Sequence, residues 1–125
     1  MGYIKRTAEE IEGMFFGSGF TQWSWWENAK PVSRIFQDSE CVDWAWEVKA
    51  EDPNEEGFIT KRITPADIIK AVERIYSHGD AIPYMSAYTT AECGNFLYGF
   101  EEVNFDADTA DQVMQMIVYD SVLYC

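Results

Sequence analysis

The sequence predicts an α+β fold, a small antiparallel sheet of Trp-rich strands packed against three or four helices. Three observations carry that expectation. The stretch Val42 to Lys49 alternates Val42, Trp44, Trp46 and Val48 with Asp43, Ala45, Glu47 and Lys49, the period-two pattern of a half-buried strand. Thr64 to Gly79 carries the start, stripe and stop signals of an amphipathic helix. Val113 to Val118 is apolar in nearly every direction, which suits a helix in the middle of a domain.

Taken in order, Thr7 followed by Glu10 is a capping-box pattern, and Ile11, Met14 and Phe15 supply a helical stripe before Gly17 and Gly19. Glu9, Glu10 and Glu12 fall in the early turns, where the helix dipole favours acids. Thr21, Trp23 and Trp25 then alternate with Gln22, Ser24 and Trp26, predicting a strand that stops near Pro31. In that phase Trp23, Trp25, Trp44 and Trp46 share a core face, and Trp26 is left as an exposed contact. Arg34 to Phe36 reads as a short extended piece. The turn residues Asp52, Pro53, Asn54 and Gly57 connect the central strand to a returning strand, Phe58 to Ile63, as a hairpin.

Thr64, Pro65 and Asp67 occupy N-cap, N1 and N3 of the best-signalled helix; Ile68, Ile69, Val72, Ile75 and Tyr76 form its buried stripe, and Gly79 stops it. A third helix is expected from Pro83, carrying Tyr84, Tyr88 and Ala91 to a C-cap at Gly94, with Asn95 to Phe100 extended beyond it. The closing helix is expected to begin at Asp108 with Asp111 as its box partner and to end near Asp120. At 125 residues, with neither a linker nor a repeat, the chain reads as a single globular domain over 1–125.

Composition narrows the function classes. Hydrophobic residues make up 47% and aromatics 16%, so this is a folding sequence, and its 22 acids against nine strong bases give a net charge of −13. All nine bases precede Ile75; beyond it lie only acids, at Asp80, Glu92, Glu101, Glu102, Asp106, Asp108, Asp111 and Asp120. Such a field repels nucleic acid and anionic membrane and attracts basic proteins. Cys41, Cys93 and Cys125 make no CxxC spacing, and the single histidine, His78, gives no zinc set. Reduced thiols, a cytoplasmic location and no cofactor are therefore expected. The opening residues lack an apolar signal core, and no apolar run approaches the ~20 residues of a bilayer span.

The chemistry-bearing patterns are few. Asp106, Asp108 and Asp111 resemble a calcium loop in spacing, but the fifth position is Ala110 and the sixth is Asp111 where Gly is needed, so no metal site is expected. Cys93 and His78 lack any nucleophile signature. Glu47-Val48-Lys49, preceded by Asp38 and Asp43, resembles the acid and Glu-x-Lys arrangement of the restriction-endonuclease-like family. That resemblance covers one short hairpin and implies a compact metal-dependent nuclease using Glu47 and Lys49. No basic surface accompanies it to hold a phosphate backbone, so an exposed cross-strand ion-pair face is the simpler expectation. The five tryptophans allow an aromatic carbohydrate or peptide-binding surface as a further alternative.

The acids themselves make the leading expectation. Glu51, Asp52, Glu55 and Glu56 form one patch and Glu101, Glu102, Asp106, Asp108 and Asp111 another, with the first helix contributing a third. Helical acids three or four residues apart stand ~5–6 Å apart at Cβ, a spacing that can imitate a row of phosphates. In composition, though through no shared motif, the chain is similar to the small acidic DNA-mimic proteins with which phages block restriction or CRISPR effectors. The resemblance implies a non-enzymatic inhibitor that occupies the basic channel of a nucleic-acid-binding protein. The two patches then stand in for phosphates, Trp26 supplies a desolvated anchor, and neither nucleic acid nor membrane is bound directly.

Overall fold

A computed structural model describes residues 2–125. The elements run α1 (Ala8–Phe16), β1 (Trp26–Gln37), β2 (Glu40–Glu51), β3 (Phe58–Ile63), α2 (Pro65–His78), α3 (Ala87–Tyr98) and α4 (Ala107–Tyr119), with short 3₁₀ turns at Phe20–Gln22 and Gly79–Ala81. The three strands form one antiparallel sheet in the order β1-β2-β3, which makes the architecture α+β with four α-helices. One face of the sheet is covered: α1 and α2 pack on β2, and α4 packs on β3 and on the first 3₁₀ turn. The other face carries cross-strand rows such as Lys30, Glu47 and Arg62, the division expected of an antiparallel sheet with one wet side.

Local signals explain most boundaries. Thr7 and Glu10 close a reciprocal capping box at α1, and Thr64 and Asp67 do the same at α2 with Pro65 in its first turn. The buried side of α2 is Pro65, Ile68, Ala71, Val72 and Ile75; Ile69 is half-buried and Tyr76 exposed, so the apolar stripe sits slightly off the expected one. The core is one cluster in which Phe15 of α1 lies against Phe96 of α3 and Phe105, at centroid distances of 6.3 and 4.5 Å.

Four expectations are corrected. The Trp-rich stretch is not a strand from Thr21: residues 20–22 make a 3₁₀ turn, and β1 begins only at Trp26. Strand alternation therefore starts at Trp26, which pairs with Ala50 and points inward at 4% exposure, whereas Trp23 and Trp25 are half-buried outside the sheet. Pro31 does not stop β1, which is an edge strand with a register shift between Pro31 and Ser33, the setting in which a strand tolerates a residue without an N–H. Asp38 and Ser39, both at positive φ, turn β1 directly into β2 as a type I′ hairpin does, and the irregular register beside it leaves Val42 exposed while Cys41 is buried.

The third correction concerns α3. It starts after the N-cap Ser86 and runs through Gly94 to Tyr98, ending at Gly99 with φ +70°. Gly94 is not a cap but a point of close approach: a Cβ there would stand 2.6 Å from the Tyr76 ring. Fourth, the N-cap of α4 is Asp106, whose carboxylate accepts the Thr109 N–H at 2.9 Å, and not Asp108 with Asp111 as partner. The expected exit at Asp120 holds: it is the C-cap, at φ +59°, and Ser121 to Tyr124 leave the helix.

Candidate functional site

Asp111, on the second turn of α4, organises the most distinctive constellation in the molecule. Its side chain is directed inward and the residue is only 4% exposed. One oxygen, Oδ1, accepts the indole N–H of Trp25 at 2.7 Å and of Trp26 at 2.6 Å. The other, Oδ2, accepts from Gln115 Nε2 at 2.8 Å. Three donors and no acceptor suit a carboxylate, whose lone pairs would otherwise be stranded away from water. Burial nonetheless pushes Asp111 above the ordinary carboxylate range, opposed by the bonds from Trp26, Trp25 and Gln115 and assisted by the nearby charge of Asp108.

Gln115, wholly buried, passes the constraint on to the segment after α4. Its Oε1 accepts the N–H groups of Leu123 and Tyr124, and its Nε2 donates to the Tyr124 carbonyl. The Tyr124 ring then lies parallel to Trp25 at 5.4 Å, and Trp25 lies parallel to Trp23 at 5.7 Å, giving a three-ring stack. Tyr119, at the end of α4, donates to the Glu51 carbonyl at 2.5 Å and fastens this region to the end of β2. Burial, with the charges of Tyr124, Glu51, Asp52 and Asp111 around it, pushes the Tyr119 phenol up.

Beside the stack opens a cleft of about 220 Å³ lined by Trp23, Trp25, Asp108, Asp111, Gln112, Tyr124 and Cys125. A larger cleft of about 650 Å³ lies along α2, where Lys61, Lys70, Arg74 and His78 face Asp67, Glu73 and Asp120. Arg74 is paired with Asp120, so the larger cleft is of mixed charge, whereas the smaller contains acids and no base.

The structure separates the residues expected to meet a partner. Glu51, Glu55, Glu56, Glu101, Glu102, Asp106 and Asp108 are exposed and Asp52 is half-exposed. Asp111 and Trp26 are corrected: both are buried, bonded to each other, and part of the interior. Asp106 is exposed yet occupied in capping α4. The acids of α1 are engaged too. Glu12 accepts from Arg34 Nη1 and Nη2 at 3.0 and 2.6 Å and from the Trp46 indole at 2.6 Å, while Glu9 accepts the Cys41 N–H. Glu47 and Lys49, the pair resembling a nuclease motif, lie on the wet face of the sheet. There Glu47 faces Lys30 at 3.9 Å and Lys49 stands over the Phe58 ring at 5.2 Å. No group of three or more His, Cys, Asp or Glu suited to a metal ion occurs among the described residues.

Sequence reasoning missed the Asp111 node because it counted Asp111 with Asp108 as a helix-start acid in one surface patch. The available signal was its neighbourhood, with Ala110 before it and Val113, Met114 and Gln115 after it, in a helix apolar on most sides. Fold and site define an acidic α+β domain built around a buried carboxylate–indole cluster with an aromatic cleft beside it. Neither a known protein family, nor a characterised protein, nor a solved structure matches the chain. Among the described residues no helix is long and apolar enough to cross a membrane.

Proposed function

We propose that this protein is a small non-enzymatic inhibitor that binds the basic nucleic-acid channel of another protein in place of nucleic acid, in the manner of phage anti-restriction or anti-CRISPR proteins acting in the host cytoplasm. One observation carries the reading. Among the described residues the ion pairs are Lys30–Glu47, Arg34–Glu12 and Arg74–Asp120, so none of Glu51, Asp52, Glu55, Glu56, Glu101, Glu102 and Asp108 has a cationic partner. The three paired bases are engaged by other acids, and these carboxylates contribute their charge to the surface field without a neutralising contact. Asp111 and Trp26 drop out as contacts, and the phosphate-like groups become the loop acids after β2, the acids after α3, and Asp108.

The test is inhibition of DNA cleavage by a panel of restriction and CRISPR effectors, measured at graded salt, with duplex DNA as competitor. Inhibition of at least one effector should weaken at least tenfold between about 50 and 300 mM salt, as counterion-dependent contacts do. The paired charge reversals E55K/E56K and E101K/E102K should weaken it further. Inhibition indifferent to both salt and reversal would sink the proposal, as would failure across the panel.

A further inference from the structure

We propose that the cleft beside the three-ring stack receives a single arginine side chain from the basic partner, an assignment that rests on the reading above for its source but not for its chemistry. The walls are of two kinds. Trp23, Trp25 and Tyr124 present nearly parallel rings, within 8° and 11° of one another, and a planar guanidinium stacks on such faces. Asp108 lines the cleft as an exposed acid, and Asp111 lines it as a buried one. Asp108 is exposed in the first turn of α4 and is the carboxylate open to a fork-shaped donor, while Asp111, buried and held by Trp25, Trp26 and Gln115, lies behind the wall.

Two further features select a cation. No Lys, Arg or His lines the cleft, so no internal base neutralises it, whereas the larger cleft along α2 is already filled with both signs. Burial first, and then the neighbouring Glu51 and Asp52, raise the Tyr124 phenol, and the two acids add to the negative potential. Gln112 is not free to compete as a ligand: its Oε1 accepts from Ser86 and Thr89, and its Nε2 donates to the Tyr84 carbonyl. At about 220 Å³ the space suits one side chain rather than a folded element. Arginine is favoured over lysine because its weakly hydrated, flat head can stack and fork at once.

The experiment is a two-dimensional NMR titration of the intact protein, following the indole N–H signals, with N-acetyl-arginine amide against the isosteric, uncharged citrulline amide. A saturable shift of Trp23 and Trp25 is expected with arginine, with citrulline binding at least about tenfold more weakly. Asp108→Asn, at an exposed position, should leave the remaining spectrum in place and weaken arginine at least about threefold. Absence of a saturable shift, equal binding of citrulline, or unchanged affinity in Asp108→Asn overturns the assignment. If arginine binds while effector inhibition is insensitive to salt and charge reversal, the nucleic-acid-mimic reading fails and the cleft stands. The opposite pattern removes the cleft alone.

Discussion

Replacing Asp111 by alanine removes the acceptor shared by Trp25, Trp26 and Gln115. The three donors lose different amounts. Trp26 is 4% exposed and its indole N–H has no second partner, so it is stranded at ~1–3 kcal/mol. Trp25 is half-buried and water can replace the lost bond, while Gln115 keeps the Tyr124 carbonyl. Asp111→Ala should therefore cost about 3 kcal/mol in all. Asp111→Asn is the discriminating partner. Its Oδ1 can keep both indoles, its Nδ2 meets Gln115 Nε2 donor to donor, and burial of the charge is relieved, for a net loss of about 1 kcal/mol. Urea unfolding followed by fluorescence, with unchanged slope, measures both. An alanine variant within about 0.5 kcal/mol of the parent, or an asparagine variant equally damaging, would refute the account. The pH dependence gives a second check. Burial raises Asp111 above its unfolded value of 3.8, so the folded state holds more protons in the window above 3.8. Parent stability should fall relative to Asp111→Asn as pH rises through that window; a rise would contradict it.

Two other expectations follow from single contacts. Gly99→Ala should destabilise by about 1–2 kcal/mol in the same unfolding assay, since the C-cap of α3 sits at φ +70° and a Cβ would stand 3.1 Å from Ile4. Cys41 and Cys93 are buried and Cys125 exposed, and burial, with Glu92 nearby, pushes the Cys93 thiol well above its ordinary value. A disulfide reagent should thus titrate one thiol rapidly in the native protein and three after unfolding.

The parts of the fold legible in the sequence are those fixed by local chemistry. Thr7 with Glu10, and Thr64 with Pro65 and Asp67, announce helix starts because the cap and the residue it serves are three positions apart. β2 and β3 are legible for a similar reason: a period-two strand, turn residues and a returning strand lie in one short span. Errors arose where distant partners decide. The phase of the tryptophans depends on where pairing with β2 begins, at Trp26 and Ala50, and residues 20–25 give no local sign of it. Gly94 reads as a helix stop until Tyr76, on another helix, is known to lie across it. Asp111 reads as a surface acid until Trp25 and Trp26 are brought to it from across the fold.

That last point changes what the acidity of this chain means. Acids with a structural task are distributed among the capping and clamping positions: Glu10, Asp67 and Asp106 serve helix starts, Glu12 joins α1 to the sheet, and Asp111 holds two tryptophans. Glu92, also buried, accepts from Asn95 and from the Asn104 N–H, fixing the connection into α4. Among the acids that remain without a cationic partner in the described residues are Glu51, Asp52, Glu55, Glu56, Glu101, Glu102 and Asp108. Mutual repulsion among unpaired acids opposes the compact state, and it eases as salt rises. Stability of the isolated protein and affinity for a basic partner should therefore respond to salt in opposite directions, the first rising as the second falls. A domain whose acids served only its own folding would lack that second, falling response.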